Sequence, residues 1–122
     1  MADSVKEFLE QTQSCEEVLD CFHGLNGLDK EVYGTVANTD RPLTAEEIGE
    51  QVDRDRSTAY RSAQRLSDAG FVTRQQQTGS DGGYRYVYSQ SDTDTVADEM
   101  QEMVNDWQQE MTKLIESFRQ EY

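Results

Sequence analysis

The sequence predicts a mainly α-helical fold with one small β-hairpin, which places it in the α+β class. Apolar residues recur at intervals of three and four over most of the 122 residues, the pattern of amphipathic helices. Two short segments, residues 71–75 and 84–88, alternate in polarity as strands do, and a polar loop with glycines joins them. A chain of this length forms one domain with room for one appended element.

Helices are predicted on both sides of an early glycine-containing break. Residues 4–23 form one helix or two short ones, because apolar side chains repeat at helical intervals through this segment. Gly24 and Gly27 interrupt the pattern, and residues 29–38 form the next helix. Its side chains expected to face the core are Val32, Tyr33 and Val36.

A helix–turn–helix follows, and both of its helices have clear limits. Thr44 and Glu47 have the spacing of a capping box, in which each side chain accepts the backbone N–H of the other residue. The two helices cover residues 45–51 and 56–69, and Gly70 ends the second at the position that favours glycine. The side chains expected to face the core are Ala45, Ile48, Val52, Ala59, Ala63 and Leu66.

The two strands then form a hairpin over residues 71–88. Its loop, residues 76–83, is polar, and four residues at its tip favour flexibility: Thr78, Gly79, Gly82 and Gly83. The return strand alternates tyrosine with arginine and valine. At least one of its three tyrosines is expected to be part of the core: Tyr84, Tyr86 or Tyr88.

A final helix begins near Asp92 and continues to the C-terminus. Roughly 28 residues give it a length of roughly 40 Å. Because a single domain of this size cannot cover a helix of that length, we expect a partner helix from a second subunit. A ligand pocket lined by its methionines is the alternative. The apolar stripe expected to form the dimer contact contains Val96, Met100, Met103, Trp107, Met111, Leu114 and Phe118.

Positive charge is concentrated in one part of a strongly acidic chain. The protein has 25 acidic and 11 basic residues, a net charge of −14. Six of its eight arginines lie between residues 54 and 85, where three acids occur, so this window carries +3 and the remainder −17. Such a local excess indicates binding to a polyanion. The six are Arg54, Arg56, Arg61, Arg65, Arg74 and Arg85.

The segment from Leu43 to Val72 resembles the DNA-binding core of archaeal winged-helix transcription regulators. The matching pieces are Thr44-Ala-Glu-Glu-Ile-Gly, Asp55-Arg-Ser-Thr-Ala-Tyr-Arg and Leu66-Ser-Asp-Ala-Gly-Phe-Val. The chain is most similar to the TrmB-like group, with the PadR, MarR and ArsR families as more distant relatives, over about residues 28–88. The resemblance implies a winged helix–turn–helix homodimer, with helix 56–69 in the major groove of a pseudo-palindromic operator and hairpin 71–88 on the backbone or minor groove.

This organisation predicts three functional regions. Residues 1–27 form an N-terminal helical segment that contributes to the dimer contact, residues 28–90 the DNA-binding domain, and residues 91–122 the dimerisation helix. Arginine can bond guanine O6 and N7 simultaneously, and hydroxyl groups suit phosphates and base edges. The expected DNA-binding residues are Arg54, Arg56, Ser57, Thr58, Tyr60, Arg61, Gln64, Arg65, Arg74 and Arg85.

Two other interpretations of the arginine-rich window stay open. The arginines could balance nearby acids on a solvated helix, and Arg74 in particular could pair with a neighbouring carboxylate. Winged helices also occur as protein-interaction modules of transcription or assembly complexes. A wing arginine, Arg85, favours DNA over a protein partner.

Cys15 and Cys21 are six residues apart, about 240° around a helix, so we expect no disulfide between them within an intact helix. They are either small buried apolar side chains or a redox switch. The second alternative gains weight from the resemblance, because some haloarchaeal TrmB-like and PadR-like regulators act in oxidative stress. With His23, the cysteines match no standard zinc spacing. We expect no metal, no cofactor and no catalytic residue.

The acidic composition is similar to that of cytoplasmic proteins from extreme halophiles. The chain has no apolar run near 18 residues, and its N-terminus lacks the basic and apolar regions of a signal peptide. We therefore expect a cytoplasmic protein with no membrane partner.

The net charge predicts an unusual salt dependence of DNA binding. At 1 M salt the Debye length is roughly 3 Å, so repulsion between acidic protein and phosphate is screened. Basic proteins lose affinity with salt because binding releases counterions, whereas here salt cations must accumulate at the DNA interface. Affinity measured against KCl concentration is expected to stay flat or to rise, and a steep loss would contradict this prediction.

Overall fold

The structure is a computed structural model that describes residues 3–13 and 18–122. These residues divide into two compact units, Met1–Gln90 and Ser91–Tyr122. No helix in the described ranges is both long enough and apolar enough to cross a membrane. In chain order the elements are α1 (Val5–Thr12), α2 (Val18–His23), α3 (Gly27–Ala37), β1 (Leu43–Thr44), α4 (Ala45–Val52), α5 (Arg56–Asp68), β2 (Val72–Thr78), β3 (Tyr84–Gln90) and α6 (Thr93–Glu121).

The first unit combines helices with a small antiparallel sheet, as the sequence predicts. The strand order is β1-β3-β2, so the hairpin strand β3 is central. The sequence pattern predicts no strand before α4, but the structure has β1 there, in which Leu43 pairs with Tyr88 and Thr44 with Val87. Two residues are too few to show a strand alternation, and the pairing depends on a partner more than 40 residues later.

The core of the first unit lies where α3, α4 and α5 meet the sheet. The side chains expected to face inward are buried in all three helices, except that Tyr33 and Val52 are half-buried. Of the three tyrosines of β3, Tyr88 is fully buried, which confirms that one of them belongs to the core. The largest fully buried apolar side chains are Tyr88, Leu43, Ile48, Leu66, Val32 and Val36.

The turn between α4 and α5 is unusually close. A Cβ atom on Gly49 would lie 2.7 Å from the carbonyl oxygen of Arg54, so a side chain there would displace backbone. The Arg54 N–H donates to the carbonyl oxygen of Gly49 at 2.9 Å, and Asp53 adopts a left-handed φ of 57°. Glycine within α4 therefore lets the start of α5 lie directly against α4.

Both ends of α5 are fixed by local hydrogen bonds. At its start, the Asp55 carboxylate accepts the Thr58 backbone N–H at 2.7 Å. At its end, the N–H of Gly70 donates to Ser67 and the N–H of Phe71 to Leu66, the bonding pattern of a Schellman motif. The predicted role of Gly70 is confirmed, since its φ is 87°.

The second unit is α6, a single helix of 29 residues. Its apolar stripe is largely exposed: Trp107 is 46% exposed and Phe118 65%. Met100 and Met111 are half-buried, and Val96 is buried. The other exposed apolar side chains of α6 are Met103, Val104, Leu114 and Ile115.

Helix α1 also presents unburied apolar side chains. Val5, Phe8 and Leu9 are exposed, and none of the residues of α1 is buried. This helix therefore gains little stability from apolar burial within the chain.

Candidate nucleic-acid interface

Three exposed arginines of the predicted interface lie in α5 or directly before it. Arg54, Arg56 and Arg61 are all exposed. The Nη2 atom of Arg61 lies 3.4 Å from the Thr58 hydroxyl oxygen. Within the described part of the chain, the guanidinium groups of Arg54 and Arg56 have no hydrogen bond or ion pair. Both groups are therefore free to meet an anionic ligand.

A groove of about 720 Å³ separates this end of α5 from the hairpin. It brings together three of the predicted DNA-binding arginines, Arg54 and Arg56 from one wall and Arg85 from the other. Two carboxylates of α4, Glu46 and Glu50, also line it, so the groove contains charges of both signs. Its remaining lining residues are Thr44, Ala45, Tyr60, Tyr84, Tyr86 and Tyr88.

Ser57, Thr58 and Tyr60 occupy the same end of α5. Ser57 and Tyr60 are exposed, while Thr58 is half-buried. Hydrogen bonds from Thr58 lower the pKa of the Asp55 carboxyl group, so this N-terminal cap stays ionised. Hydroxyl groups of this kind suit phosphate oxygens and base edges, so these residues stay candidates for contact with nucleic acid.

Arg65 is bonded within the protein, to the carboxylate of Asp29. Its guanidinium group donates to both carboxylate oxygens of Asp29 in α3, with the shortest distance, 2.7 Å, from Nη2 to Oδ1. This bond raises the pKa of Arg65. The group therefore has a bond within the protein, while its side chain is 43% exposed and the expected contact of Arg65 with the DNA backbone stays a prediction.

Asp29 is a buried acid that the sequence does not reveal. Its side chain is 1% exposed and accepts from the Ser62 hydroxyl at 2.6 Å and from the Asn26 backbone N–H at 3.1 Å. Burial alone raises the pKa of this carboxyl group, but the bonds from Arg65 and Ser62 outweigh it and hold the pKa below its usual value. Asp29 therefore joins the start of α3 to the middle of α5.

Arg74 and Gln64 contact each other. Arg74 Nη1 donates to Gln64 Oε1 at 2.8 Å, which links β2 to α5, and Gln64 Nε2 donates to Asp68 at 3.0 Å. The guanidinium carbon of Arg74 also lies 4.2 Å from the ring centroid of Tyr86, a cation–π contact. Arg74 thus contacts an amide and an aromatic ring. The sequence left open a neighbouring carboxylate as its partner in place of DNA.

Arg85 lies on the return strand near the hairpin tip. Its Nη2 atom is 3.5 Å from Gln77 Oε1, the limit of a hydrogen bond, and the side chain is exposed. The tip is closed by Asp81, whose carboxylate accepts the Gly83 N–H at 2.9 Å. Arg85 is therefore weakly held and available at the outer end of the groove.

A protein-family model matches the part of the chain that contains both the fold and this surface. The model described as "Sugar-specific transcriptional regulator TrmB" matches residues 19–94, which include the helix–turn–helix, the hairpin and the groove. The chain belongs to the TrmB family. It is a transcriptional regulator with a winged-helix fold, in which β2 and β3 form the wing.

Relatives and solved structures are similar to this chain in sequence or in fold. The uncharacterized protein MJ1082 of Methanocaldococcus jannaschii is 32% identical over 105 residues, 86% of each chain. A possible transcriptional regulator from Methanosarcina mazei Go1 superposes with a TM-score of 0.69 and 24% identity, over 85% of this chain and 92% of that one. A crystal structure of MarR reaches 0.51 with 13% identity, over 96% and 93%. These structures show the shared fold.

The cysteines of this TrmB-family chain fall partly outside the described residues. Cys15 is not among them, whereas Cys21 lies half-buried in α2 and is disulfide-bonded. The sequence predicts no disulfide between the cysteines within an intact helix, but α1 ends at Thr12 and α2 begins at Val18, so that condition does not apply to Cys21. His23 packs against Phe22 and Phe71, and its burial lowers its pKa.

Replacing Asp29 with asparagine is expected to lower the free energy of unfolding by about 2–3 kcal/mol at neutral pH. A fully buried pair costs about 3–5 kcal/mol when broken, and the loss is smaller here because Arg65 is 43% exposed and can regain water. Because the pKa of Asp29 is lower in the folded than in the unfolded protein, its stabilisation is present above about pH 4 and is lost as pH falls.

Urea unfolding of Asp29→Asn and wild type between about pH 2 and pH 7 measures this loss in the free energy of unfolding and its pH dependence. The difference between the two proteins should shrink towards the acid end. Glu110→Gln removes an acid from the exposed pair with Lys113 and should change the free energy by less than about 0.5 kcal/mol. Equal stability of Asp29→Asn and wild type at pH 7 would show that the pair does not hold α3 and α5 together.

Proposed function

We propose that this TrmB-family regulator binds a specific DNA sequence as a homodimer on a pseudo-palindromic operator. The observation that carries the proposal is the pair Arg54 and Arg56, which have no partner among the described residues and lie beside Arg85 in one groove of an acidic protein. Helix α5 enters the major groove, and the wing formed by β2 and β3 lies on the backbone or in the minor groove.

We divide the ten predicted contacts into two groups according to their bonds within the protein. Arg65 belongs to the scaffold through Asp29, and Gln64 and Arg74 join the wing to α5. Arginine side chains at the start of a recognition helix can read guanine, each at about 1–3 kcal/mol of discrimination. The contacts that we propose are Arg54, Arg56, Ser57, Thr58, Tyr60, Arg61 and Arg85.

The dimer is proposed to form along the apolar stripe of α6, with help from α1. Exposed Met103, Trp107, Leu114 and Phe118 make this stripe more apolar than a solvated helix requires. Two recognition helices of a dimer address half-sites about 34 Å apart on the duplex. The exposed side chains of α1 offer a second apolar surface to the same dimer.

The environment and the signal are further parts of the proposal. A net charge of −14 supports a halophilic archaeon as the source, a cytoplasm rich in salt, and cations between acidic side chains such as Glu46 and phosphate. The disulfide-bonded state of Cys21 supports a response to oxidative stress. Oxidation would change α2, whose residue His23 packs on Phe71 at the exit of the recognition helix.

Selection from random genomic DNA fragments in ~2 M KCl, where charge repulsion is screened, tests the DNA proposal. The wild-type protein should enrich a palindromic motif. The double variant Arg56→Ala/Arg61→Ala should bind that motif at least tenfold more weakly, because it loses two contacts to base edges or phosphates. Lys6→Ala/Lys113→Ala removes the same two charges elsewhere and should bind as wild type does.

Absence of an enriched motif at any salt concentration would reject sequence-specific DNA binding. The protein would then be a winged-helix interaction module for a transcription or assembly complex. The carboxylates Glu46 and Glu50 in the groove are the observation that favours this second candidate.

Charge placed on the apolar stripe should separate the subunits. Trp107→Glu/Leu114→Glu would bury two carboxylates in the contact, so light scattering should report a monomer at concentrations where the wild type is a dimer. Asn105→Asp/Gln109→Glu adds the same charge to the polar face of α6 and should leave the dimer intact. A dimeric Trp107→Glu/Leu114→Glu protein would place the interface elsewhere.

The redox response is tested with single variants, Cys15→Ser and Cys21→Ser. DNA affinity of the wild type should change on treatment with peroxide or hypochlorite and return with a thiol reductant, because only disulfide and sulfenic states reverse in this way. At least one variant should lose that response. An unchanged response in both variants would remove the cysteines from the mechanism.

A further inference from the structure

Three exposed tyrosines line the groove between the recognition helix and the wing. Tyr60 is 40% exposed, Tyr84 75% and Tyr86 41%, although tyrosine rings are usually more deeply buried in a core. All three belong to the lining that contains Arg54, Arg56 and Arg85. The arginines explain the charge of this groove, but they do not explain its aromatic content.

The strand register places two of these tyrosines on one face of the wing. Tyr84 and Tyr86 are separated by one residue of β3, and their partners across the hairpin are Thr78 and Gln76. Tyr88, next on the same face, is fully buried and fills the floor of the groove. Tyr84 and Tyr86 therefore lie on the same face of β3 as buried Tyr88, but in the part of the strand that is exposed.

The hydroxyl groups of the exposed tyrosines have no hydrogen-bond partner among the residues that the structure describes. The ring of Tyr86 is nevertheless held in place, because Arg74 lies over it at 4.2 Å and is itself bonded to Gln64 of α5. One side of the ring is thus covered by a cation, while the phenol hydroxyl group stays free to bond a ligand.

We propose that Tyr84 and Tyr86 bind the sugar–phosphate backbone of one strand of the operator duplex through contacts that do not depend on salt. The inference rests on the proposed function and deepens it. Nucleic acid is the occupant that fits, because the groove holds three of the arginines that are concentrated in this window of a protein with a net charge of −14.

The physical basis is the difference between ionic and neutral contacts to phosphate. Each arginine that neutralises a phosphate changes the number of counterions released, so its contribution to affinity varies with salt concentration. A phenol hydroxyl group donates a hydrogen bond and its ring packs on deoxyribose without neutralising charge. An acidic protein that binds DNA in concentrated salt gains most from contacts of the second kind.

The experiment compares phenylalanine variants with an arginine variant on the operator duplex that the selection identifies. Dissociation constants of wild type, Tyr84→Phe/Tyr86→Phe, Arg56→Gln and Tyr122→Phe are measured between ~0.5 M and ~3 M KCl. Tyr122 is an exposed tyrosine of α6 outside the groove, so Tyr122→Phe is the matched control. Circular dichroism melting confirms that each variant is folded.

Removing the hydroxyl groups of Tyr84 and Tyr86 should weaken DNA binding about tenfold or more at every salt concentration. The plot of log Kd against log [KCl] should therefore be displaced without a change in slope. Arg56→Gln should instead change the slope by about one. Tyr122→Phe should match wild type. A double variant that binds as wild type does, or whose loss varies with salt as that of Arg56→Gln does, would overturn the inference while leaving DNA binding established. A wild-type protein that enriches no motif would overturn the proposed function, and the inference with it.

Discussion

A buried carboxylate, that of Asp29, fixes α5 relative to the rest of the first unit. Its oxygens accept from Asn26 at the start of α3 and from Ser62 and Arg65 along α5. A lone buried carboxylate would be costly, and only this full set of donors makes it stable there. Once α5 is held through its middle, the direction of its first turn, which carries Arg56, is determined as well.

The parts of the fold that depend on neighbouring residues were predictable from sequence. The capping box of Thr44 and Glu47 starts α4, and Gly70 ends α5 in a left-handed conformation, because both signals act within a few residues. Strand β1 was missed because its pairing with β3 crosses the whole helix–turn–helix. The Asp29–Arg65 pair was missed for the same reason, since 36 residues separate its members.

The arginine-rich window predicts a cationic surface, but it does not show which of its arginines bond within the protein. Sequence charge carries no distances, so Arg54, which has no partner among the described residues, and Arg65, which has a buried one, looked alike. The aromatic side of the groove was visible in the alternation of Tyr84, Tyr86 and Tyr88. What the alternation does not show is that the turn before α5 brings Arg54 into the same groove.

The contact of Arg74 with both Gln64 and Tyr86 has a consequence for the entropy of binding. A hairpin attached only at its base would sample many orientations, and a ligand would have to select one of them at a cost in affinity. Here the side chains that set the distance between wing and helix are already ordered without a ligand. The width of the groove is thus a property of the free protein, and association loses less conformational freedom than it would with a loose wing.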